Sequence, residues 1–281
     1  MALLDGGRRD ERLYAQVLNT LADTYQRLSR PADALATFQQ ATALMERLGD
    51  TFGLGVAYGG MGRLLYAQWR FEEAITYLRK DVDLLAEQAR ENASVINQLL
   101  NQTAAAYARL GQRDAALATH ARAQQTLADI TDPRARDTSL GFTHLQRAEI
   151  LAETYQRPAD LPPAREALAQ ARQSLSQPAL KPYLDLLEAR LARLAGEYAA
   201  AADLLAGCLR SDVPIADAEK ALMWLEVGRV AQAQGRGAEV RAALEQVTAL
   251  AAKLGNTRLA ALAQAELTPL EEEAYVSSPA G

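Results

Sequence analysis

Few side chains in this sequence of 281 residues have the chemistry of a metal site or a nucleophile. The two histidines, His120 and His144, could hold a metal ion only with a third ligand such as Glu149, because a zinc site needs three converging side chains. A histidine packed in the core is the other interpretation of His120. The single cysteine, Cys208, lies where a small buried residue is expected, which favours a core filler over a nucleophile. We therefore predict neither a metal site nor a covalent catalyst.

Neighbouring carboxylates could act as a general acid and a general base, and the sequence offers Glu72 with Glu73, and Asp81 with Asp83. Glu72, Glu73 and Asp33 fall in the first turns of predicted helices, where the helix dipole favours negative charge. Catalytic carboxylates also need a pocket that moves their pKa values apart, and nothing in the sequence predicts one. We predict no catalytic residue and no enzyme activity.

Five glycines lie between residues 53 and 62, in the order Gly53, Gly55, Gly59, Gly60 and Gly62. A phosphate-binding loop would need a Gly-Lys-Ser/Thr sequence or a preceding strand, and both are absent, so we predict no cofactor. Close packing of a helix against its neighbours is one interpretation. Because each glycine weakens a helix interior by up to about 1 kcal/mol, a hinge or a place where a ligand backbone approaches closely is the other.

Two stretches of the chain share one spacing of small, aromatic and apolar residues. The positions Leu21, Ala22, Tyr25, Ala34, Phe38 and Ala41 recur as Thr103, Ala104, Tyr107, Ala116, His120 and Ala123. A small residue lets two helices approach, and the larger residue beside it fills the remaining space. One such helix pair cannot bury its apolar face alone, so the repeat predicts stacked pairs with a shared core.

This pattern resembles the tetratricopeptide repeat. The small residue of the first helix can be followed through six copies, at Ala22, Gly62, Ala104, Ala148, Ala189 and Gly228. The successive spacings of 40, 42, 44, 41 and 39 residues resemble the long-repeat subtype found in kinesin light chains and in bacterial signalling regulators. Pro158, Pro162 and Pro163 lengthen the fourth copy and are expected to end one helix and start the next.

The resemblance implies an all-α fold, a right-handed α-solenoid (superhelix) of about six helix-turn-helix repeats with a C-terminal capping helix. We expect a single solenoid domain over residues 1–267. Its repeats are predicted at about 10–50, 51–91, 92–131, 133–177, 178–211 and 215–255, with the cap helix at 256–267. Residues 268–281 are predicted to be a partly disordered tail.

In this family the first helices line a concave face that binds the partner. The resemblance places the following residues on that face: Asn19, Asp23, Arg63, Tyr66, Gln98, Asn101, Gln102, Arg109, Tyr183, Arg190, Arg193 and Arg229. The amides of Asn19 and Asn101 occupy equivalent places and could donate to and accept from a peptide backbone. Arg63, Arg190 and Arg229 are also equivalent and could bind carboxylates through two hydrogen bonds.

The resemblance and the charge together predict a non-catalytic scaffold that binds a peptide, a helix or a partner domain. The net charge of −5 argues against general nucleic-acid binding, while the inward arginines suggest acidic groups on the partner. The alternative is that these arginines are solvated, or are paired with Glu149 and Glu226. Chaperone C-terminal tails are not expected, because the clamp positions carry Asn19, Asp23, Gly60, Gln98 and Gln102.

The remaining expectations concern the cellular location of the chain and its alternative function. No run approaches the roughly 18 apolar residues of a membrane span, and a single cysteine fits a reducing compartment, so we expect no membrane partner and a cytoplasmic location. The alternative function is a ligand- or peptide-sensing regulatory segment of a larger signalling ATPase or transcription regulator.

Overall fold

The computed structural model describes residues 2–265, with side chains from residue 10 onward, and all regular elements of this part are helical. The long helices are α1 (Ala2–Arg27), α2 (Pro31–Leu48), α3 (Thr51–Ala67), α4 (Phe71–Leu85), α5 (Ala93–Arg109), α6 (Arg113–Thr126), α7 (Pro133–Glu153), α8 (Leu161–Ser174), α9 (Lys181–Leu194), α10 (Tyr198–Leu209), α11 (Asp217–Ala233) and α12 (Gly237–Lys253). A further helical segment covers residues 257–265.

The all-α repeat fold expected from the sequence is therefore confirmed. The right-handed superhelical sense, the single domain over 1–267 and the division into six repeats with a cap stay predictions. The predicted tail, residues 268–281, lies outside the described residues, as do the last two residues of the predicted cap helix.

Residues 2–146 form one compact unit. In it α1 packs on α2, α3 on α4 and α5 on α6, while α2 contacts α3 and α4 contacts α5. The small residues of the repeat pattern lie in the interior, since Ala22, Ala34 and Ala104 are fully buried. Phe38 and Met61 fill the space beside them in a common core of α1, α2 and α3. The spacing read from the sequence thus corresponds to interlocking small and large side chains.

Residues 147–265 form a second compact unit, in which α8 packs on α9, α9 on α10, α10 on α11 and α11 on α12. Leu205, Met223 and Val230 lie in its core, together with Cys208. The thiol of Cys208 is buried, and burial raises its pKa, which disfavours the reactive thiolate. Cys208 therefore fills the core.

The turn that ends the first helix of a pair takes a left-handed backbone conformation. Gly111 has a φ of +70° there, and Ser29 and Trp69 take the same conformation with φ of 55° and 60°. A side chain makes this conformation unfavourable, so glycine is the residue that fits it without strain. The turn geometry is therefore kept even where the sequence lacks glycine.

The proline-rich junction before α8 begins after α7 ends at Glu153. A short 3-10 turn, Pro158–Asp160, follows, and Pro162 lies in the first turn of α8, where a missing N–H costs nothing. The buried carboxylate of Asp160 accepts hydrogen bonds from the backbone N–H groups of Gln156 and Arg157, at 3.2 and 3.3 Å. The junction is consequently fixed by hydrogen bonds.

The glycines of α3 make room for side chains of α2 and α4. A Cβ atom added at Gly60 would lie 2.4 Å from the Phe38 ring, and one added at Gly62 would lie 2.6 Å from Leu78. Real Cβ atoms do not approach that closely, so these positions need glycine for packing. The close-packing interpretation accounts for these two residues, and the hinge stays a prediction.

Replacing Gly60 by alanine is expected to lower the free energy of unfolding by about 1–3 kcal/mol, the usual cost of overpacking a core. Gly207 in α10 is the matched control, because a Cβ atom there meets nothing within 4 Å. Gly207→Ala should instead stabilise by about 0.5–1 kcal/mol, since alanine is the better helix former. Thermal unfolding followed by circular dichroism measures both, and equal effects of the two changes would contradict the packing role.

Candidate functional site

The twelve residues expected on the binding face differ in how far they are exposed. In the first unit Asn19 and Asn101 are buried and Arg63 and Gln98 are exposed, while the half-buried residues are Asp23, Tyr66, Gln102 and Arg109. In the second unit Arg190 is buried, and Tyr183, Arg193 and Arg229 are half-buried. The two equivalent asparagines thus share a depth, whereas the equivalent arginines, Arg63, Arg190 and Arg229, do not.

Three of these residues come together around one carboxylate in the second unit. Glu226 on α11 is 0% exposed. Arg193 on α9 donates from Nε to Glu226 Oε1 at 2.8 Å, and Arg229, one turn after Glu226, donates to Oε2 at 3.3 Å. The Nε atom of Arg190 lies 3.6 Å from Glu226 Oε1.

Arg190 also forms an ion pair with Glu153 of α7, which extends the network to a third helix. Its side chain is 6% exposed, whereas those of Arg193 and Arg229 are 21% and 28% exposed. The side chain of Arg190 is therefore buried between two glutamates. Arg193 and Arg229 present guanidinium groups to the surface.

The charge of Glu226 is maintained against a large desolvation cost. Burial opposes ionisation of Glu226, but the charges of Arg190, Arg193 and Arg229 hold its pKa below the ordinary value. A carboxylate in a dry environment interacts strongly with its neighbours and orients them. The site is thus a buried anion that positions two partly exposed cations.

The sequence pointed to only part of this network. Pairing of the arginines with Glu226 was one of the alternatives, and the three-residue spacing from Glu226 to Arg229 places both on one helix face. Glu153 was missed, because its pairing with Arg190 joins two helices whose register the sequence does not specify.

A second polar cluster lies in the first unit, around Asn97, Asn101 and Thr143. Asn101 Nδ2 donates to Asn97 Oδ1 at 3.1 Å and to Thr143 Oγ1 at 3.0 Å, and Asn97 Nδ2 donates to the carbonyl of Ala123 at 2.8 Å. All three side chains are buried. Thr143 Oγ1 in turn donates to the carbonyl of Ser139 at 2.7 Å. The cluster joins α5, α6 and the first part of α7 through polar contacts.

Asn19, the equivalent of Asn101 in the first copy, makes a similar contact. Its Nδ2 donates to the carbonyl of Gly53 at 3.3 Å and so links α1 to α3. Among the described residues, no hydrogen bond reaches the buried Oδ1 atoms of Asn19 and Asn101. A buried amide oxygen without a donor is costly, so both atoms have an unmet hydrogen-bonding requirement.

The second copy has glycine where the first and third have asparagine, and a carboxylate from another helix occupies the place. Asp81 of α4 is buried, and its Oδ2 would lie 2.7 Å from a Cβ atom added at Gly59. Its Oδ1 would lie 2.9 Å from one added at Gly55. Burial raises the pKa of Asp81 to about 7, against a weaker opposing effect of the Arg63 charge. The sequence signal for this arrangement was the glycine pair, four residues apart.

Other candidate residues from the sequence lie where a role in the fold accounts for them. Glu72 and Glu73 lie in the first turn of α4 and His120 is buried in α6. In the described part of the chain, no group of histidine, cysteine and acidic side chains is arranged to hold a metal ion. Helices of residues 2–265 are all too short or too polar to cross a bilayer.

Comparison with known proteins finds a family model that matches part of the chain, and solved structures that are similar to it. Residues 13–87 match the family model for the Tetratricopeptide repeat. Among solved structures, the chain is similar to the "TPR2AB-domain:pHSP90-complex of yeast Sti1", at 15% identity and a TM-score of 0.34, covering 92% of this chain and 98% of that one. It is also similar to the "Assembly Chaperone of RpL4 (Acl4) (Residues 1-338)", at 12% identity and a TM-score of 0.41, covering 93% and 99%. No curated protein sequence matches the chain.

Proposed function

We propose that this chain, a tetratricopeptide repeat protein by its match over residues 13–87, is a protein-interaction scaffold that binds an acidic group of a protein or peptide partner through Arg193 and Arg229. In this proposal the chain acts by binding and not by catalysis. Its partner offers a carboxylate to the guanidinium groups on α9 and α11.

The observation that carries the proposal is the burial of Glu226 beneath the two partly exposed arginines. Each guanidinium is held by the buried carboxylate, so little side-chain entropy is lost when a ligand binds. The guanidinium groups of Arg193 and Arg229 are 21% and 28% exposed, so a carboxylate of a partner can reach them and form charge-assisted hydrogen bonds.

The exposed polar residues of the first unit, Arg63 and Gln98, support a second type of contact. The guanidinium of Arg63 donates hydrogen bonds and the amide of Gln98 both donates and accepts, so an extended peptide backbone can bind to them. Asn19 and Asn101 are buried and bond to groups inside the unit, so in this proposal they support the face from below.

The other aspects of the proposal come from charge and composition. A net charge of −5 disfavours nucleic acid as the partner, and we propose no cofactor. A cytoplasmic location, the absence of chaperone tails among the partners and the alternative regulatory function stay predictions.

Replacing Arg193 and Arg229 together by glutamine is expected to reduce partner capture at least tenfold, because each charge-assisted hydrogen bond contributes about 1.5–3 kcal/mol. The measurement is quantitative mass spectrometry of proteins captured from native lysate by the full chain. The matched control replaces Arg210 and Arg241, which are both exposed and outside the network, by glutamine.

Partners lost from the Arg193/Arg229 variant and kept by the Arg210/Arg241 variant would support the site. Equal capture by both variants would reject it. Arg190 is unsuitable for this test, because its guanidinium is buried between Glu153 and Glu226 and its removal would affect folding.

A further inference from the structure

One side of α1 carries large apolar side chains that are exposed to solvent. The described part of the chain has nine exposed large apolar side chains, and five of them form a ridge on α1 and directly after it: Leu13, Tyr14, Val17, Leu21 and Leu28. The members of this α1 ridge are between 38% and 64% exposed. Tyr14, Val17 and Leu21 form its centre, because residues three, four and seven positions apart share one face of a helix. An exposed apolar patch of this kind marks a binding surface.

The equivalent face of α3 is buried beneath another helix. The centre of the α1 ridge corresponds to the residues 40 positions later, which are Leu54, Ala57 and Met61. Their side chains are 8%, 0% and 1% exposed, in a common core with α2. A Cβ atom added at Gly60 would lie 2.4 Å from Phe38, and one added at Gly53 would lie 2.7 Å from Met45. Helix α2 therefore runs antiparallel to α3 across this face.

The equivalent face of α5 is buried in the same way. The centre of the α1 ridge corresponds there, a further 42 positions along, to Ile96, Leu99 and Thr103. Their side chains are 6%, 3% and 2% exposed, and Ile96 and Leu99 share a core with Leu78 and Val82 of α4. In both copies the covering helix is the second helix of the preceding pair. These two copies show that a helix is what covers this face, which is open on α1.

A second copy of α1 supplies such a helix. Leu78 and Val82, with which α4 covers α5, are four positions apart. Val17 and Leu21 have the same spacing, and both are exposed. The other four exposed large apolar side chains of the described residues are divided among α3, α5 and α7. Two α1 helices can therefore cover each other's ridge, which is the self-complementary interface of a two-fold dimer.

The charges at the two ends of the α1 ridge favour an antiparallel pair. Asp10 and Glu11 are exposed at its start, and Arg27 is exposed at its end. Antiparallel packing brings the two carboxylates of one copy level with the guanidinium of the other, whereas parallel packing brings like charges together. The direction is also the one in which α2 crosses α3.

We propose that the chain forms a symmetric dimer in which the α1 ridges of two copies pack antiparallel. The two-fold axis passes near Asn19, so that Val17 of one copy packs on Leu21 of the partner subunit. The ridge is about 22 Å long, which corresponds to a small interface and to a dimer that exchanges with monomers at micromolar concentration. The dimer does not depend on the Arg193 and Arg229 site, of which it carries two copies.

Sedimentation equilibrium of the full chain over the micromolar range measures the self-association. Val17→Glu is expected to raise the dimer dissociation constant at least tenfold, because it places a carboxylate in the apolar interface. Gln16→Glu is the matched control, since it adds the same charge at the neighbouring exposed position, whose equivalents Val56 and Gln98 stay exposed. It should change the dissociation constant less than twofold. Helix content should stay unchanged in both variants, because both side chains are exposed in the monomer.

Disulfide crosslinking tests the antiparallel direction, in a Cys208→Ala background that removes the native thiol. Thr20→Cys places an exposed thiol beside the proposed axis, and oxidation should join two copies there. Arg27→Cys should not crosslink to itself, because the antiparallel pair holds the two copies of this residue about 24 Å apart.

Three results would each overturn the proposal. The first is a chain that stays monomeric throughout the micromolar range, since the open face would then belong to a helix of a different protein. The second is an equal effect of Val17→Glu and Gln16→Glu on the dissociation constant. The third is a crosslink through Arg27→Cys without one through Thr20→Cys.

Discussion

Replacing Glu226 by alanine is expected to lower the free energy of unfolding of residues 147–265 by about 3–5 kcal/mol, the cost of breaking a buried ion pair on one side. Glu226 is fully buried, and three arginines depend on its carboxylate. Its removal leaves the guanidinium of Arg190, which is 6% exposed, with less negative charge around it. Arg193 and Arg229 can turn toward water, so the loss arises chiefly at Arg190.

The effect can be measured in one unit at a time, because each unit contains one of the two tryptophans, Trp69 and Trp224. In a Trp69→Phe background, denaturant unfolding followed by fluorescence reports on the second unit through Trp224. The matched control is Glu239→Ala, which removes an exposed glutamate paired with Arg236 three residues away. That change should cost less than about 1 kcal/mol, and equal losses for both glutamates would contradict the role of Glu226.

The carboxylate of Glu226 also determines how the stability of the second unit changes with pH. Because the pKa of Glu226 is lower in the folded chain than its ordinary value of 4.5, the folded state binds fewer protons on this group than the unfolded state. The stability it contributes is therefore present above pH 4.5 and is lost as pH falls through the folded pKa. As pH falls below 4.5 the second unit should weaken, and the Glu226→Ala variant should show less of this weakening.

The fold could be predicted because the residue spacing that specifies it is contained within single helix pairs. A small residue such as Ala22 or Ala104 recurs with a larger residue at a fixed spacing, and both alanines are fully buried where two helices meet. Helix ends could be predicted in the same way. Asp50 accepts the N–H of Gly53 at 3.1 Å at the start of α3, next to the predicted boundary between the first and second repeats. Such signals lie within one helix pair and require no knowledge of distant contacts.

The depth of the candidate site residues was not predictable from the same signals. Arg63 and Arg190 occupy equivalent positions, yet Arg63 is exposed and Arg190 is buried. The difference arises from Glu153 and Glu226, which belong to the neighbouring helices α7 and α11. Repeat equivalence assigns a residue to a helix face, whereas burial depends on which charges the adjacent helices supply.

The glycines of α3 show a related limit. The sequence indicated that they pack closely or form a hinge, but it could not show that a carboxylate would occupy the space. Gly59 stands at the position of Asn19 and Asn101, and Asp81 reaches it from the second helix of the pair. A polar group is thus present at this place in three successive copies, although in the second it comes from a different helix.

Replacing Asp81 by asparagine is expected to stabilise residues 2–146 at pH 8 by about 1–4 kcal/mol. The carboxyl has a pKa of about 7 in the folded chain against 3.8 ordinarily, so the folded state binds more protons than the unfolded state between these values. Stability from this group is complete below pH 3.8 and is lost as pH rises through 7, which leaves a desolvated charge at pH 8. Asparagine has nearly the same shape and no charge, although burying its amide offsets part of the gain.

The measurement is denaturant unfolding at pH 5 and pH 8 in a Trp224→Phe background, where Trp69 reports on the first unit. The native chain should lose stability in this unit between pH 5 and pH 8, and Asp81→Asn should remove most of that loss. Asp83→Asn is the matched control, since Asp83 is exposed two residues away on the same helix and should change stability by less than about 0.5 kcal/mol. If Asp81→Asn destabilised the unit at pH 8, the carboxylate would have to be a net stabilising partner of Arg63, and the inference that its burial outweighs that attraction would be wrong.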